Sequence, residues 1–258
     1  MARIIAVTNQ KGGVGKTTTA VNLSACLAEA GKRVLLVDID PQGNATSGLG
    51  RPGGGGGVYQ ALIEEIDAAT AVVETCCEGL MLMPSSIELA GAEIELVGVL
   101  GREGMLKRAL SPITGDYDYI LMDCPPSLGL LTLNAMTAAD SVLVPIQCEY
   151  YALEGVGQLM NTLTLVRKRL NPALEVEGVL LTMLDGRTNL GTQVVEEVKK
   201  YFRDRVFSTV VPRNVRLGEA PSHGLPIHIY DEKCPGTAAY RQLAREVIDR
   251  NEGGDWKK

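Results

Sequence analysis

The sequence predicts an α/β protein built on a doubly wound, mostly parallel sheet with helices on both faces. Short apolar runs alternate with stretches of helical periodicity along the chain, the pattern of repeated strand, helix and strand units. Two runs, Arg33-Val34-Leu35-Leu36-Val37 and Tyr119-Ile120-Leu121-Met122, run out into aspartates, and ligands of such folds bind beyond the carboxyl ends of the strands. The first run, Ile4-Ile5-Ala6-Val7, leads almost directly into Gln10-Lys11-Gly12-Gly13-Val14-Gly15-Lys16-Thr17-Thr18-Thr19 and then a helical pattern.

With 258 residues, 45% of them hydrophobic, the chain is read as one domain spanning residues 1–258 with an extensive core. No apolar run approaches the roughly 18 residues that span a bilayer, and the start has no signal-peptide layout, so a cytoplasmic location is expected. The six cysteines are scattered, which suits reduced core thiols. A net charge of −6 argues against a nucleic-acid partner if it is evenly spread. Between Arg187 and Arg216, however, seven basic residues face three acidic ones, and the sign reverses locally.

The glycines at 12, 13 and 15 let backbone N–H groups turn toward a common centre, and the helix behind them adds the positive end of its dipole. Such a centre binds phosphate oxygens. Lys16 would reach the β- and γ-phosphates, and the Thr17 hydroxyl would coordinate a bridging magnesium ion. The usual G-x-x-x-x-G-K-[ST] pattern is not met, because Gln10 stands where its first glycine belongs. The loop instead reads K-G-G-x-G-K-T, with a second lysine at Lys11. Here the chain resembles the deviant Walker A branch of the P-loop ATPases, which includes the ParA/Soj partition ATPases, the division ATPase MinD and the nitrogenase iron protein. The resemblance implies ATP and Mg2+ as ligands and a phosphate cradle of Lys11, Gly12, Gly13, Val14, Gly15, Lys16, Thr17 and Thr18. It also implies that Lys11 acts across a homodimer interface on the partner's nucleotide.

The remaining elements follow in order. A helix over 17–30 ends near Gly31, and the strand Arg33 to Val37 leads into Asp38-Ile39-Asp40-Pro41-Gln42-Gly43-Asn44. D-x-D-P-Q-G-N resembles the second partition-ATPase signature, which implies that Asp40 positions the attacking water near the metal while Asp38 bonds to loop backbone. Arg51, Pro52 and five glycines at 53–57 form a loop, Val58 to Ile66 a short helix, and Leu80 to Met83 a strand. Ser85-Ser86-Ile87-Glu88 reads as a capping box opening a helix to Leu100, with Leu89, Ala92, Leu96 and Val99 on its buried face. Asp123, ending an apolar strand and followed by Cys124-Pro125-Pro126-Ser127, matches a Walker B carboxylate that would hold magnesium beside Thr17. Ser141 to Ile146 is a strand in which Pro145 is tolerable only near an end or at an edge. A helix then runs to about Leu170; by resemblance Glu149 and the residues after it face the dimer partner, or they are a solvated first turn.

Val179 to Met183 is a strand, 190–203 a helix, Val206 to Val211 a strand and 236–249 the last helix. By resemblance Pro212 and Asn214 contact adenine, and Arg187 and Arg216 match arginines that bind DNA. His223 and His228 have no ligand-spaced companions and read as filling. The expected function is an ATP-dependent dimer that binds double-stranded DNA without sequence preference and associates with the nucleoid. A ParB/Spo0J-type centromere-binding protein would trigger hydrolysis, since no arginine finger is evident in the chain. The alternative, a membrane-cycling MinD-like ATPase, needs a terminal amphipathic helix, which the Gly-Gly-Asp-Trp tail interrupts, so no membrane partner is expected. An iron protein needs paired cluster cysteines, and Cys124 has no suitably spaced second cysteine.

Overall fold

The computed structural model describes residues 2–51, 56–64, 66–149, 156–185 and 189–253. β1 (Arg3–Val7) passes through the glycine-rich loop into α1 (Lys16–Glu29), β2 (Val34–Asp38) and a short α2 (Asn44–Gly48). A π-type turn (Gln60–Glu64) precedes β3 (Val73–Glu74) and β4 (Leu80–Met83). Then come α3 (Leu89–Glu95), α4 (Met105–Leu110), β5 (Tyr119–Asp123), α5 (Leu130–Ala138) and β6 (Ser141–Gln147). The chain continues through α6 (Val156–Arg169), β7 (Glu175–Leu184), α7 (Asn189–Phe202) and β8 (Val206–Pro212), and closes with α8 (Val215–Glu219), α9 (Ile227–Tyr230) and α10 (Pro235–Glu252).

The strands form one sheet in the order β3-β4-β2-β5-β1-β6-β7-β8, parallel throughout except for β3. Because side chains alternate across a strand, each buried strand feeds two cores. Ile5, Val7, Leu36, Leu121 and Leu143 pack with α1 and α10 on one face, while Ala6, Leu35, Ile120, Met122 and Val144 pack with α5 and α6 on the other. The order turns back at β1, which pairs with β5 on one side and β6 on the other. That reversal places the glycine-rich loop in the crevice at the carboxyl edge. Pro145 sits past the last pair that β6 makes with β1, so its missing N–H breaks no ladder there.

The capping box does not form. Ser85 is buried and its Oγ donates to the Asp40 carbonyl at 2.7 Å, so it secures a loop rather than a helix start. The expected helix to Leu100 is correspondingly shorter: α3 passes into a 3₁₀ turn, Leu96–Gly98, and Val99 lies outside it, partly exposed. The short helix expected from Val58 is completed by the π-type turn. Five of the six free thiols are buried, and Cys76 is exposed. Burial pushes Cys26 and Cys77 up to about 12 and Cys148 up to about 11.

Candidate active site

Strand register brings the functional groups together. Val7 at the end of β1 lies opposite Asp123 at the end of β5, and Asp123 lies opposite Asp38 at the end of β2. The glycine-rich loop therefore emerges beside two carboxylates. It turns on Gly13 (φ 75°) and Gly15 (φ 85°), left-handed conformations that a side chain would strain. Gly15 stands at the amino end of α1, whose first N–H groups have no intrahelical acceptors and can receive an anion.

The loop is anchored from both sides. Asn9 Nδ2 donates to the Pro145 carbonyl at 2.7 Å, and Thr182 Oγ1 on β7 donates to the Val14 carbonyl at 2.9 Å. Lys16 is buried, and its Nζ donates to the Lys11 carbonyl at 3.1 Å. Burial pulls the Lys16 ammonium below the ordinary lysine range, against the opposing pull of Asp123 and Asp40. A phosphate oxygen would offer this desolvated cation far more than one neutral carbonyl does. The Lys11 side chain makes no ion pair among the described residues.

Three carboxylates serve different purposes. Asp38 accepts hydrogen bonds from Thr46 N (2.8 Å), Thr46 Oγ1 (2.7 Å) and Asp40 N (3.2 Å), holding the loop as the sequence suggested. Asp40 is buried; its Oδ1 accepts from Gln42 N at 3.0 Å. Asp123 is fully buried, and neither carboxylate oxygen has a hydrogen-bond partner among the described residues. Burial raises Asp123 well above the usual carboxylate range; neighbouring Asp38 and Asp40 add to this, and the nearby Thr17 hydroxyl opposes it. Such an unsatisfied carboxylate fits a divalent cation. Among the described residues no cluster of three His, Cys, Asp or Glu can hold a metal alone. Magnesium suits this, because it takes one or two carboxylates and completes its shell with phosphate oxygens and water. Asp123 and the Thr17 hydroxyl are the groups that could hold it, with Asp40 beside them.

The same carboxylates give a pH dependence. Burial pushes Asp38 up to about 6, with Asp40 adding to the shift. A carboxyl raised in the fold adds stability at low pH and loses it as pH rises through the folded value. Lowering pH from 7.5 to 5 should therefore raise the stability of the ligand-free protein relative to Asp38→Asn by about 1.4 kcal/mol. Urea denaturation of both proteins at the two pH values measures this, and an unchanged difference would rule the assignment out.

Pro212 and Asn214, expected to contact adenine, lie at the end of β8, three strands from β1 in the sheet. Leu184 is in register with Pro212, and Arg213 N donates to the Leu184 carbonyl at 3.1 Å. Asn214 caps α8, its Oδ1 accepting from Arg216 N at 2.9 Å, which leaves its Nδ2 hydrogens to donate. Arg216 is half exposed and pairs with Glu219 at 2.9 Å and Asp231 at 3.4 Å. Lys199, Lys200 and Arg203 are exposed where α7 ends and before β8 begins, whereas Arg216 follows the end of β8. Arg187, residues 150–155 behind Glu149, residues 52–55 and the tail from 254 lie outside the described residues. Sequence reasoning missed the roles of Thr182, Ser85 and Asn9, whose one signal is a polar side chain near or just beyond the end of an apolar strand, and that of Thr46 on α2, which carries no such signal.

Comparison with known proteins places this geometry. An AAA domain family matches residues 2–176. The sporulation initiation inhibitor protein Soj of Bacillus subtilis is 64% identical over 249 residues, covering 96% of this chain and 98% of that protein. The chain belongs to the ParA/Soj family. Another member, the chromosome partitioning protein ParA of Myxococcus xanthus, is 55% identical over 97% of this chain and 89% of its own length. A crystal structure named cobyrinic acid a,c-diamide synthase, from Mycobacterium smegmatis with bound ATP analog and magnesium, superposes with a TM-score of 0.88 at 41% identity. It covers 98% of this chain and 97% of that one. The fold is that of the P-loop NTPases.

Proposed function

We propose that this ParA/Soj protein is an ATPase that dimerises around two ATP molecules, holds double-stranded DNA without sequence preference, and lets go when hydrolysis is stimulated. The observation that carries this is the Lys11 side chain, standing in the phosphate loop without an ion pair among the described residues while its own carbonyl holds Lys16. A second cation at that place suits a triphosphate approached from outside the protomer. Lys16 and the loop N–H groups bind the phosphates, Thr17 and Asp123 hold the metal, and Pro212 and Asn214 support adenine. Magnesium, when bound, neutralises charge on the β- and γ-phosphates. Asp40 orients the water for attack. Among the described residues no arginine finger accompanies these groups, and such a group contributes about 10³ to 10⁵ in rate, so a ParB/Spo0J-type partner is the expected source of acceleration.

One protomer offers DNA few cations on an acidic body, whereas two locked around ATP double them. Contacts from Arg187 and Arg216 would be to phosphates and would carry no sequence information. Arg187→Ala combined with Arg216→Ala should abolish DNA retention while turnover without DNA persists; fluorescence anisotropy at modest salt checks this, and retained binding would refute the assignment. The cycle itself is tested by sedimentation with ADP, with ATP, and with ATP plus DNA or liposomes. A size shift that requires ATP, followed by DNA pelleting, is expected for a nucleoid-associated protein. Pelleting with liposomes would instead point to a membrane-cycling ATPase.

A further inference from the structure

Away from the nucleotide site, two thiols stand together on the turn between β3 and β4. Successive side chains of an extended chain point to opposite faces, yet Cys76 Sγ and Cys77 Sγ lie 3.8 Å apart. The turn itself brings them together. Thr75 Oγ1 accepts from Cys77 N at 3.0 Å and donates to the Leu80 carbonyl at 2.8 Å, while Leu80 N donates to the Cys77 carbonyl at 3.1 Å. The two surroundings differ, since Cys76 is exposed and Cys77 is buried. Burial, with the neighbouring Cys76 sulfur adding to it, pushes the Cys77 thiol up to about 12. An oxidant therefore meets Cys76 first, and a second thiol waits beside the product.

An accessible cysteine beside a resolving one is the arrangement of thiols that oxidise reversibly. We infer that Cys76 and Cys77 form a redox-active dithiol that hydroperoxides oxidise to a disulfide within the turn. In the first step the Cys76 sulfur attacks the peroxide and its O–O bond breaks; one oxygen stays on sulfur as a sulfenic acid and the other leaves as an alcohol or water. In the second the Cys77 sulfur forms the S–S bond, the S–O bond breaks, and the oxygen leaves as water. The pair gives up two electrons and two protons, and the peroxide takes both. Adjacent Cα atoms are only about 3.8 Å apart across a trans peptide, short of the usual span of a disulfide, so a dithiol reductant readily reopens the bond.

The turn also touches the segment that carries Arg216. Cys76 Sγ donates to the Gly224 carbonyl at 3.9 Å, and Gly224 packs so closely on Gly50 that a Cβ there would fall 2.6 Å from the Gly50 Cα. The Arg51 guanidinium donates to the Glu74 carbonyl, just ahead of the thiols. Gly50 in turn follows α2, whose Thr46 bonds to Asp38. Closing the disulfide brings the sulfurs about 1.8 Å nearer to each other and draws Cys76 off the Gly224 carbonyl. Its effect on DNA, which rests on the function proposed above, is to loosen the seat of Arg216.

The test treats the full, reduced chain with an equimolar amount of tert-butyl hydroperoxide. Intact mass should fall by two hydrogens, peptide mapping should place the bond between Cys76 and Cys77, and dithiothreitol should restore the mass. Cys77→Ser should instead stop at a sulfenic acid on Cys76 that dimedone traps. An unchanged mass, a bond to Cys26 or a bond between two chains would overturn the proposal. Fluorescence anisotropy with Mg-ATP then reads DNA affinity, which should fall several-fold in the oxidised wild type and hold constant in Cys76→Ser given the same treatment. Undiminished affinity in a protein that carries the bond would refute the link to Arg216 and leave the dithiol standing. A reduced wild type that never holds DNA would refute the proposed cycle instead, because the mass change is read without nucleotide.

Discussion

Changing Lys16 to alanine is expected to weaken nucleotide binding by about 100-fold or more and to remove the ATP-induced dimer. Hydrogen bonds to charged groups are each worth about 1.5 to 3 kcal/mol, and this ammonium is placed to make more than one with the β- and γ-phosphates. It is buried, so the bonds would form in a medium that screens them poorly. Lys16 also favours the charged form of Asp123, so its removal discourages magnesium as well as phosphate. Its parking bond to the Lys11 carbonyl is with a backbone atom, and losing that bond should leave the fold intact. Calorimetric titration with Mg-ATP and sedimentation velocity measure the two effects. A normal size shift with ATP would show that the lysine is not where the phosphates are.

Asp40→Ala should have an equally large effect on a different step. Positioned general bases contribute about 10² to 10⁴ in rate, so turnover should fall by that order while the ATP dimer persists and holds DNA. The structure explains why binding should survive. The substitution removes the acceptor for Gln42 N, but the bond from Ser85 is to the Asp40 carbonyl and remains. Asp38, which keeps its three donors, still secures the loop. Removing Asp40 also takes away one of the charges that push Asp38 and Asp123 upward, which favours metal binding. Gel filtration with Mg-ATP decides the matter: a monomeric variant would mean that Asp40 builds the interface rather than the water site.

The sheet was legible in the sequence because its strands are apolar runs of ordinary length, and the phosphate loop and both aspartate strand ends are contiguous motifs. What escaped has physical reasons. α5 reads Leu-Leu-Thr-Leu-Asn-Ala-Met-Thr-Ala, apolar or small around its whole circumference and buried on most of it, so no stripe announces a helix. β3 is two residues long. The capping box failed because Ser85 found a partner 45 positions earlier in the chain, and a local pattern cannot reveal such competition. Likewise the bonds from Asn9 to Pro145 and from Thr182 to Val14 join residues 136 and 168 apart. They depend on strand order, which the sequence reading did not specify.

The distribution of cysteines has a practical consequence. Only Cys76 offers its sulfur to solvent, on the turn between β3 and β4, while the other five are enclosed. A maleimide dye should therefore couple once per native protomer, at the amino end of β4 and away from the carboxyl edge that meets nucleotide. The wild-type protein thus carries its own attachment point for a reporter, and the proposed association with ATP and with DNA can be followed one molecule at a time without first removing a residue.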